Sequence, residues 1–302
     1  MAKRKRCWPE PDQPLGAQVM DNHTHLPLRT EEIPIADGFQ MPLDEQLALA
    51  EQAGVSEIIT VGCSLPDFEP TVELTRHHRN VKAALAIHPN EAALHAGHTE
   101  RSPDGFDHQL EEHHVPLVVA LERLAEALDD PHVVAVGETG LDYFRTGEPG
   151  REAQAESFEI HLELARAHDL PLQIHDREAH EDTLRVLRRS ASRSQAIVFH
   201  SFSGDAELAR HIGERGWYAS FSGPLTYPAN GHLREAFLEM PRELVLVETD
   251  APYLPPVPYR GSPNASYVMT HTVRAMAELW EETVEETARI LMENSCHVYR
   301  GC

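Results

Sequence analysis

The stretch from Val19 to His25, VMDNHTH, opens on two apolar residues and closes on two imidazoles. Alternate side chains of an extended strand share a face, so His23 and His25 point the same way at the strand's end. Short apolar runs recur along the chain, and most of them stop at a titratable residue. The further runs are Glu57 to Val61, Lys82 to Ile87, Val133 to Val136, Leu172 to Ile174, Ala196 to Phe199, Trp217 to Phe221 and Leu244 to Val247. Between them lie amphipathic stretches such as Leu43 to Ala53, Leu117 to Leu128, Gln154 to Ala167 and Thr183 to Arg189. Strand-like runs alternating with helical ones predict parallel βα units, hence the α/β class. Eight such units in about 300 residues predict a (β/α)8 TIM barrel rather than an open sheet. Helices over Ser266 to Trp280 and Val284 to Met292 complete the expected outer ring.

In a barrel the C-terminal ends of the strands converge on one face, where active sites sit. Here those ends carry Asp21, His23 and His25, then His88, Glu138, His175, His200, and finally Glu248 and Asp250. Burying so many polar groups without partners would be costly. Four imidazoles (His23, His25, His175, His200) and two carboxylates (Glu138, Asp250) form a donor set suited to divalent ions. Six ligands exceed the three of a simple catalytic zinc site and suffice for two ions if one carboxylate bridges. Barrels of this kind often bridge with a carboxylated lysine. The only lysines are Lys3, Lys5 and Lys82, none at a strand's C-terminal end, so Glu138 is the candidate bridge. Asp21 is read as orienting a ligand imidazole, and His88, before Pro89, as a contact to substrate or water.

Composition bounds the rest. The chain has 302 residues, 41% hydrophobic and 25% charged, as in an ordinary globular protein. Residues 18–302 are read as one domain, and residues 1–17, with the basic run Lys3 to Arg6, as a disordered tail. No run is long enough to cross a bilayer, and the N-terminus lacks the apolar segment of a signal peptide. Cys7, Cys63, Cys296 and Cys302 show no metal or redox spacing, which predicts a reducing, cytoplasmic setting. A net charge of −23 argues against a broad basic nucleic-acid surface, so a polyanion must be held by local charge. The segment Asn90 to Pro116 is read as an irregular loop whose histidines, among them His95, His98, His113 and His114, are solvated rather than ligating.

At this point the chain resembles the TatD family of metal-dependent deoxyribonucleases. The matching pieces are DNHTH, AIHPNEA, VGETGLDYFR, LPLQIHDREAH, VFHSFSGDAELA, YASFSGPLTY and VETDAPYLPPVPYRGSPN, in family order from about residue 19 to the C-terminus. The resemblance implies a (β/α)8 barrel with one or two divalent ions. It implies His23, His25, Glu138 and Asp250 around one ion, and Glu138, His175 and His200 around the other. The implied reaction is phosphodiester hydrolysis of DNA, 3′ to 5′ exonucleolytic in characterised members. Asp176 and Ser201 stand where many members have other residues, and Asp176 adds negative charge near a site meant for a polyanion.

The expected mechanism is attack by metal-bound hydroxide, with Asp250 as general base and Mg2+, Mn2+ or Zn2+ as the ions. Arg145, Arg177 and Arg260 are the expected phosphate contacts, and Tyr253 the candidate to stack on a terminal base. The expected substrate is single-stranded DNA or a frayed end, and the expected state a monomer with no membrane association. Two alternatives stay open: an ester or amide hydrolase such as a D-aminoacyl-tRNA deacylase, and a metal-binding barrel without catalysis that acts as a partner protein.

Overall fold

The structure, a computed structural model, describes residues 6–192 and 194–299. In chain order the elements are β1 (Val19–Thr24), α1 (Leu43–Ala53), β2 (Val55–Gly62), α2 (Leu65–His77), β3 (Val81–Leu85), α3 (Pro89–His95), α4 (Leu117–Ala127), β4 (Val133–Asp142) and α5 (Glu148–Ala167). There follow β5 (Leu172–Arg177), α6 (His180–Ser190), β6 (Ile197–Phe199), α7 (Ala206–Glu214), β7 (Tyr218–Phe221), α8 (Gly231–Glu239), β8 (Val245–Val247), α9 (Thr270–Trp280) and α10 (Val284–Val298). The strands are hydrogen-bonded in the order β1 to β8, the strand order of a (β/α)8 barrel. The chain forms two compact units: residues up to Thr60 with those from Gly204 onward, and Val61–Ser203.

In the first unit β1 pairs with β2 and β7 with β8, all parallel. The chain after β8 returns to β1: Asp250 N donates to His23 O at 2.9 Å and His25 N to Ala251 O at 2.7 Å. The buried Asn22 amide donates to Val247 O at 2.7 Å and to Ser295 Oγ at 3.1 Å, tying β1 to β8 and α10. Where the sequence predicts a disordered tail over residues 1–17, the chain is docked from Trp8 onward. Trp8 and Leu15 are buried, Tyr267 donates to Pro9 O at 2.8 Å, and Arg274 pairs with Asp12 at 2.8 Å. Apolar side chains and two specific polar anchors outweigh the entropy of ordering this short segment. Most of the basic run, Lys3 and Lys5 included, lies outside the described residues.

In the second unit β3, β4, β5 and β6 form a parallel ladder. The helix α5 buries Phe158, His161, Leu162 and Ala165, spaced three and four apart so that they share one face. The strand β4 is longer than its apolar run: it continues through Glu138 to Asp142, buried throughout. Its register on β5 shifts between Val136 and Thr139, and a bulge of this kind re-aims the side chain it carries, here Glu138. The segment after β3 is not wholly irregular. His88 Nδ1 accepts the Asn90 N–H at 3.1 Å, and with Pro89 in the first turn the cap starts α3.

Candidate metal centre

Each unit carries a set of ligand atoms at its strand ends. In the first, His23 and His25 leave β1 on the same side with ring centroids 5.3 Å apart. The loop after β8 brings Asp250 to them, with Oδ1 3.3 Å from His25 Nε2 and 3.9 Å from His23 Nε2. Asp250 adopts a left-handed backbone (φ 53°), a conformation that aspartate tolerates better than most residues and that turns its side chain back toward β1. Tyr253, exposed, stands with its ring 5.7 Å from that of His25.

Asp21 does not orient an imidazole, as the sequence suggests. It accepts from Thr249 N at 2.9 Å and from Thr249 Oγ1 at 2.6 Å, and so fixes the segment between Glu248 and Asp250. Burial raises the Asp21 carboxyl to about 7, although the Thr249 hydrogen bonds favour the charged form.

In the second unit Glu138 is the hub. Its Oε2 lies 2.7 Å from His175 Nδ1, 2.7 Å from His200 Nε2 and 3.9 Å from His88 Nε2. Burial works against charge on His175, but the carboxylates of Asp142 and Glu138 outweigh it and lift the ring to about 9. That is the signature of a place that attracts a cation. Asp142 itself is buried and 3.3 Å from His175 Nε2. Burial alone would raise it, yet His175 and the Arg145 N–H hold it down at about 2. An anion on Nε2 fixes that nitrogen as the N–H and leaves Nδ1 to face Glu138 and any ion.

His88 differs. Because its Nδ1 accepts the Asn90 N–H, its proton sits on Nε2, and burial lowers the ring to about 4, so it is neutral. Through Nε2 it offers an N–H donor rather than a lone pair, which fits a contact to substrate or water better than a ligand.

Of the arginines named from sequence, Arg145 follows β4, Arg177 closes β5 and Arg260 follows β8. Arg145 pairs with Asp104 at 2.9 Å and sits 5.5 Å from the ring of Phe106. Arg177 stacks 3.9 Å over Phe144, and Arg260 4.2 Å over Tyr227. Asp176 is committed to His180 at 2.8 Å.

Two residues escaped the sequence reading. Asp142 stands four residues after Glu138 on β4, a spacing that could have pointed to it. Cys63, just past β2, sits 3.5 Å from Glu138 Oε1, and burial followed by the Glu138 charge pushes its thiol well up. No Cys spacing could have flagged it, because its neighbours come from other strands.

The family model described as TatD related DNase matches residues 20–300. A metal-dependent hydrolase of Mycobacterium tuberculosis named TatD is 38% identical over 292 residues, covering 93% of this chain and 97% of that one. YabD of Bacillus subtilis, also described as a metal-dependent hydrolase, is 30% identical over 282 residues, covering 93% and 99%. The crystal structure of YjjV, a TatD homologue from Escherichia coli, superposes with a TM-score of 0.76 at 29% identity, covering 94% of this chain and 98% of that one.

Proposed function

The chain belongs to the family of TatD-related DNases, metal-dependent hydrolases, and on that premise we propose that it removes nucleotides from the 3′ ends of single-stranded or frayed DNA. Residues 18–302 act as one catalytic domain. His23, His25 and Asp250 would hold one divalent ion and His175 and His200 a second, with Glu138 shared between them. The observation that carries this reading is the buried Glu138 carboxylate with two imidazole nitrogens at 2.7 Å each.

The donor set fits: imidazoles and carboxylates suit Mn2+ and Zn2+ and also accept Mg2+. Bound there, the ions would acidify a water and neutralise charge gathering on the phosphate. Asp250 takes the proton from the attacking water. Asp142 keeps His175 in one tautomer. The Nε2–H of His88 donates to a phosphate oxygen or to the water, and Arg145, Arg177, Arg260 and Tyr253 hold the terminal nucleotide. The neutral state of His88 suits a donor that must not compete with the ions for space or charge.

The test is a 5′-labelled single-stranded oligonucleotide incubated with chelator-treated protein before and after Mg2+ or Mn2+ is restored, beside a D-aminoacyl-tRNA. The expected result is no cutting without metal, and a ladder shortening from the 3′ end with it. Deacylation in place of that ladder would favour the acyl-hydrolase reading.

A further inference from the structure

The segment between β3 and α4 brings together a second group of ligating side chains. Helix α3 presents Glu91 and His95 four residues apart, on one face. The chain loops out through Arg101 and returns so that His113 and His114, just before α4, meet that face. His113 Nε2 is 3.1 Å and His114 Nε2 3.3 Å from the same Glu91 oxygen. The His95 ring lies 5.2 Å from that of His114 and 6.2 Å from that of His113.

Hydrogen-bond partners decide what each ring can offer. His95 Nδ1 stands 2.8 Å from Val115 O, which only accepts, so the proton is on Nδ1. Its Nε2 therefore carries a lone pair. That atom is buried, on a residue only 5% exposed, and has no hydrogen-bond partner among the described residues. Burial holds His95 below the ordinary imidazole range, so it is neutral. A buried acceptor left without a donor is costly. A neutral imidazole whose other nitrogen donates to a backbone carbonyl is also the form that metals bind. His114 plays another part. Glu111 N donates to its Nδ1 at 2.7 Å, so Nε2 keeps the proton and directs it at Glu91. His113 Nδ1 faces the Glu111 carboxylate at 3.6 Å, a neighbour that favours the proton on Nδ1 and a lone pair on Nε2, toward Glu91. With its proton on Nδ1, the His113 Nε2 lone pair and the Glu91 oxygen, 3.1 Å apart, are placed to share one cation.

We propose that Glu91, His95 and His113 bind a divalent transition-metal ion, Zn2+ above all, separate from the hydrolytic centre, with His114 orienting the Glu91 carboxylate. Two imidazoles and a carboxylate are a known donor set for zinc and leave a fourth position for water. The ion clamps the return of the 96–112 loop onto α3. Cross-linking a loop of this length restricts the alternatives open to the chain, so metal binding is coupled to local order.

The test compares wild type with Glu91→Gln and His113→Ala, and with His175→Ala, which alters only the hydrolytic centre. Each protein is stripped, reloaded with Zn2+, passed over a weak chelating resin and analysed for bound metal. Wild type should retain one equivalent more than Glu91→Gln or His113→Ala, and His175→Ala should keep that equivalent. Trypsin cleavage after Arg101, an exposed site within the loop, supplies a second readout. Zn2+ should slow that cut in wild type and in His175→Ala but not in the two cluster variants. Glu91→Gln preserves shape and decides the matter should His113→Ala fail to fold. Its DNA hydrolysis should match wild type, so failure here is distinguishable from failure of the hydrolytic reading. Equal metal content in wild type and Glu91→Gln, with no effect of Zn2+ on the cut, would overturn the proposal.

Discussion

Asp142 sets which nitrogen of His175 faces Glu138, and its removal should be felt at the metal rather than in the fold. Asp142→Asn keeps size and most hydrogen bonds but loses the charge opposite His175 Nε2. Loss of such a partner typically weakens metal binding about 10–100-fold. Competition against a metal-sensitive dye would measure it, and an unchanged affinity would mean that His175 is held by other groups. A second buried imidazole makes a prediction of the opposite kind. His161 in α5 accepts the Ile87 N–H at 3.0 Å on Nε2 and faces Ser157 O at 2.7 Å with Nδ1, and burial lowers it to about 4. The unfolded ring binds a proton below its ordinary value of 6.5 while the folded ring does not. Stability contributed by this residue is therefore full above about pH 6.5 and falls as pH drops toward 4. Between pH 7 and 5 the loss should be about 2 kcal/mol. Urea unfolding at the two pH values should show wild type losing that much more than His161→Gln. Equal pH dependence would mean that the folded protein accommodates the protonated ring.

The critical element is β4, because one strand carries both Glu138 and Asp142 and presses closely on β5. Gly140 has φ 133°, and a Cβ there would lie 2.2 Å from His175 O. Gly140→Ala therefore has to push the backbone that aims His175. Gly97, with φ 87°, has nothing within 4 Å of its added Cβ, so Gly97→Ala meets only backbone strain of about 1–3 kcal/mol. Overpacking adds about 1–3 kcal/mol or more to that at Gly140. Thermal melts of the two variants should show Gly140→Ala falling much further, with loss of metal binding. Similar melting points would mean that β4 and β5 can move apart.

The same element shows what the sequence could reveal. The apolar core of each strand is legible because burial on both faces demands a continuous run, as in Leu172 to Ile174. Strand ends are not, because Glu138 to Asp142 is polar and glycine-rich for the sake of the site. The helix α1 is read at its true bounds from its periodicity. The helix α2 carries Pro66 and Pro70, and α3 only seven residues, so neither offers a clear period. The proposed ligands His23, His25, Glu138, His175, His200 and Asp250 stand out as titratable groups at strand ends. The roles of Asp21 and Asp142 do not, because they depend on which groups of other strands and loops come within reach, Thr249 for one and His175 for the other.

At the scale of the whole molecule, a net charge of −23 opposes long-range attraction of DNA. On the proposed reading, phosphates are held near the ions and by a few arginines, of which Arg145 shares its charge with Asp104. Each phosphate neutralised on a single strand contributes about −0.7 to the slope of log affinity against log salt. Holding a terminal group of a few phosphates gives a slope no steeper than about −2. Binding of a non-hydrolysable oligonucleotide across a salt series should find that shallow dependence, whereas a steep one would reveal a groove that tracks the strand.

The proposed activity consumes DNA from a free 3′ end with the help of divalent ions. The most direct measurement is digestion of one single-stranded sequence in linear and circularised form, with Mn2+ and with chelator. The linear strand should shorten stepwise only with metal, and the circle should stay intact. Rapid cutting of the circle, or digestion of the linear strand in a verified metal-free preparation, would contradict it.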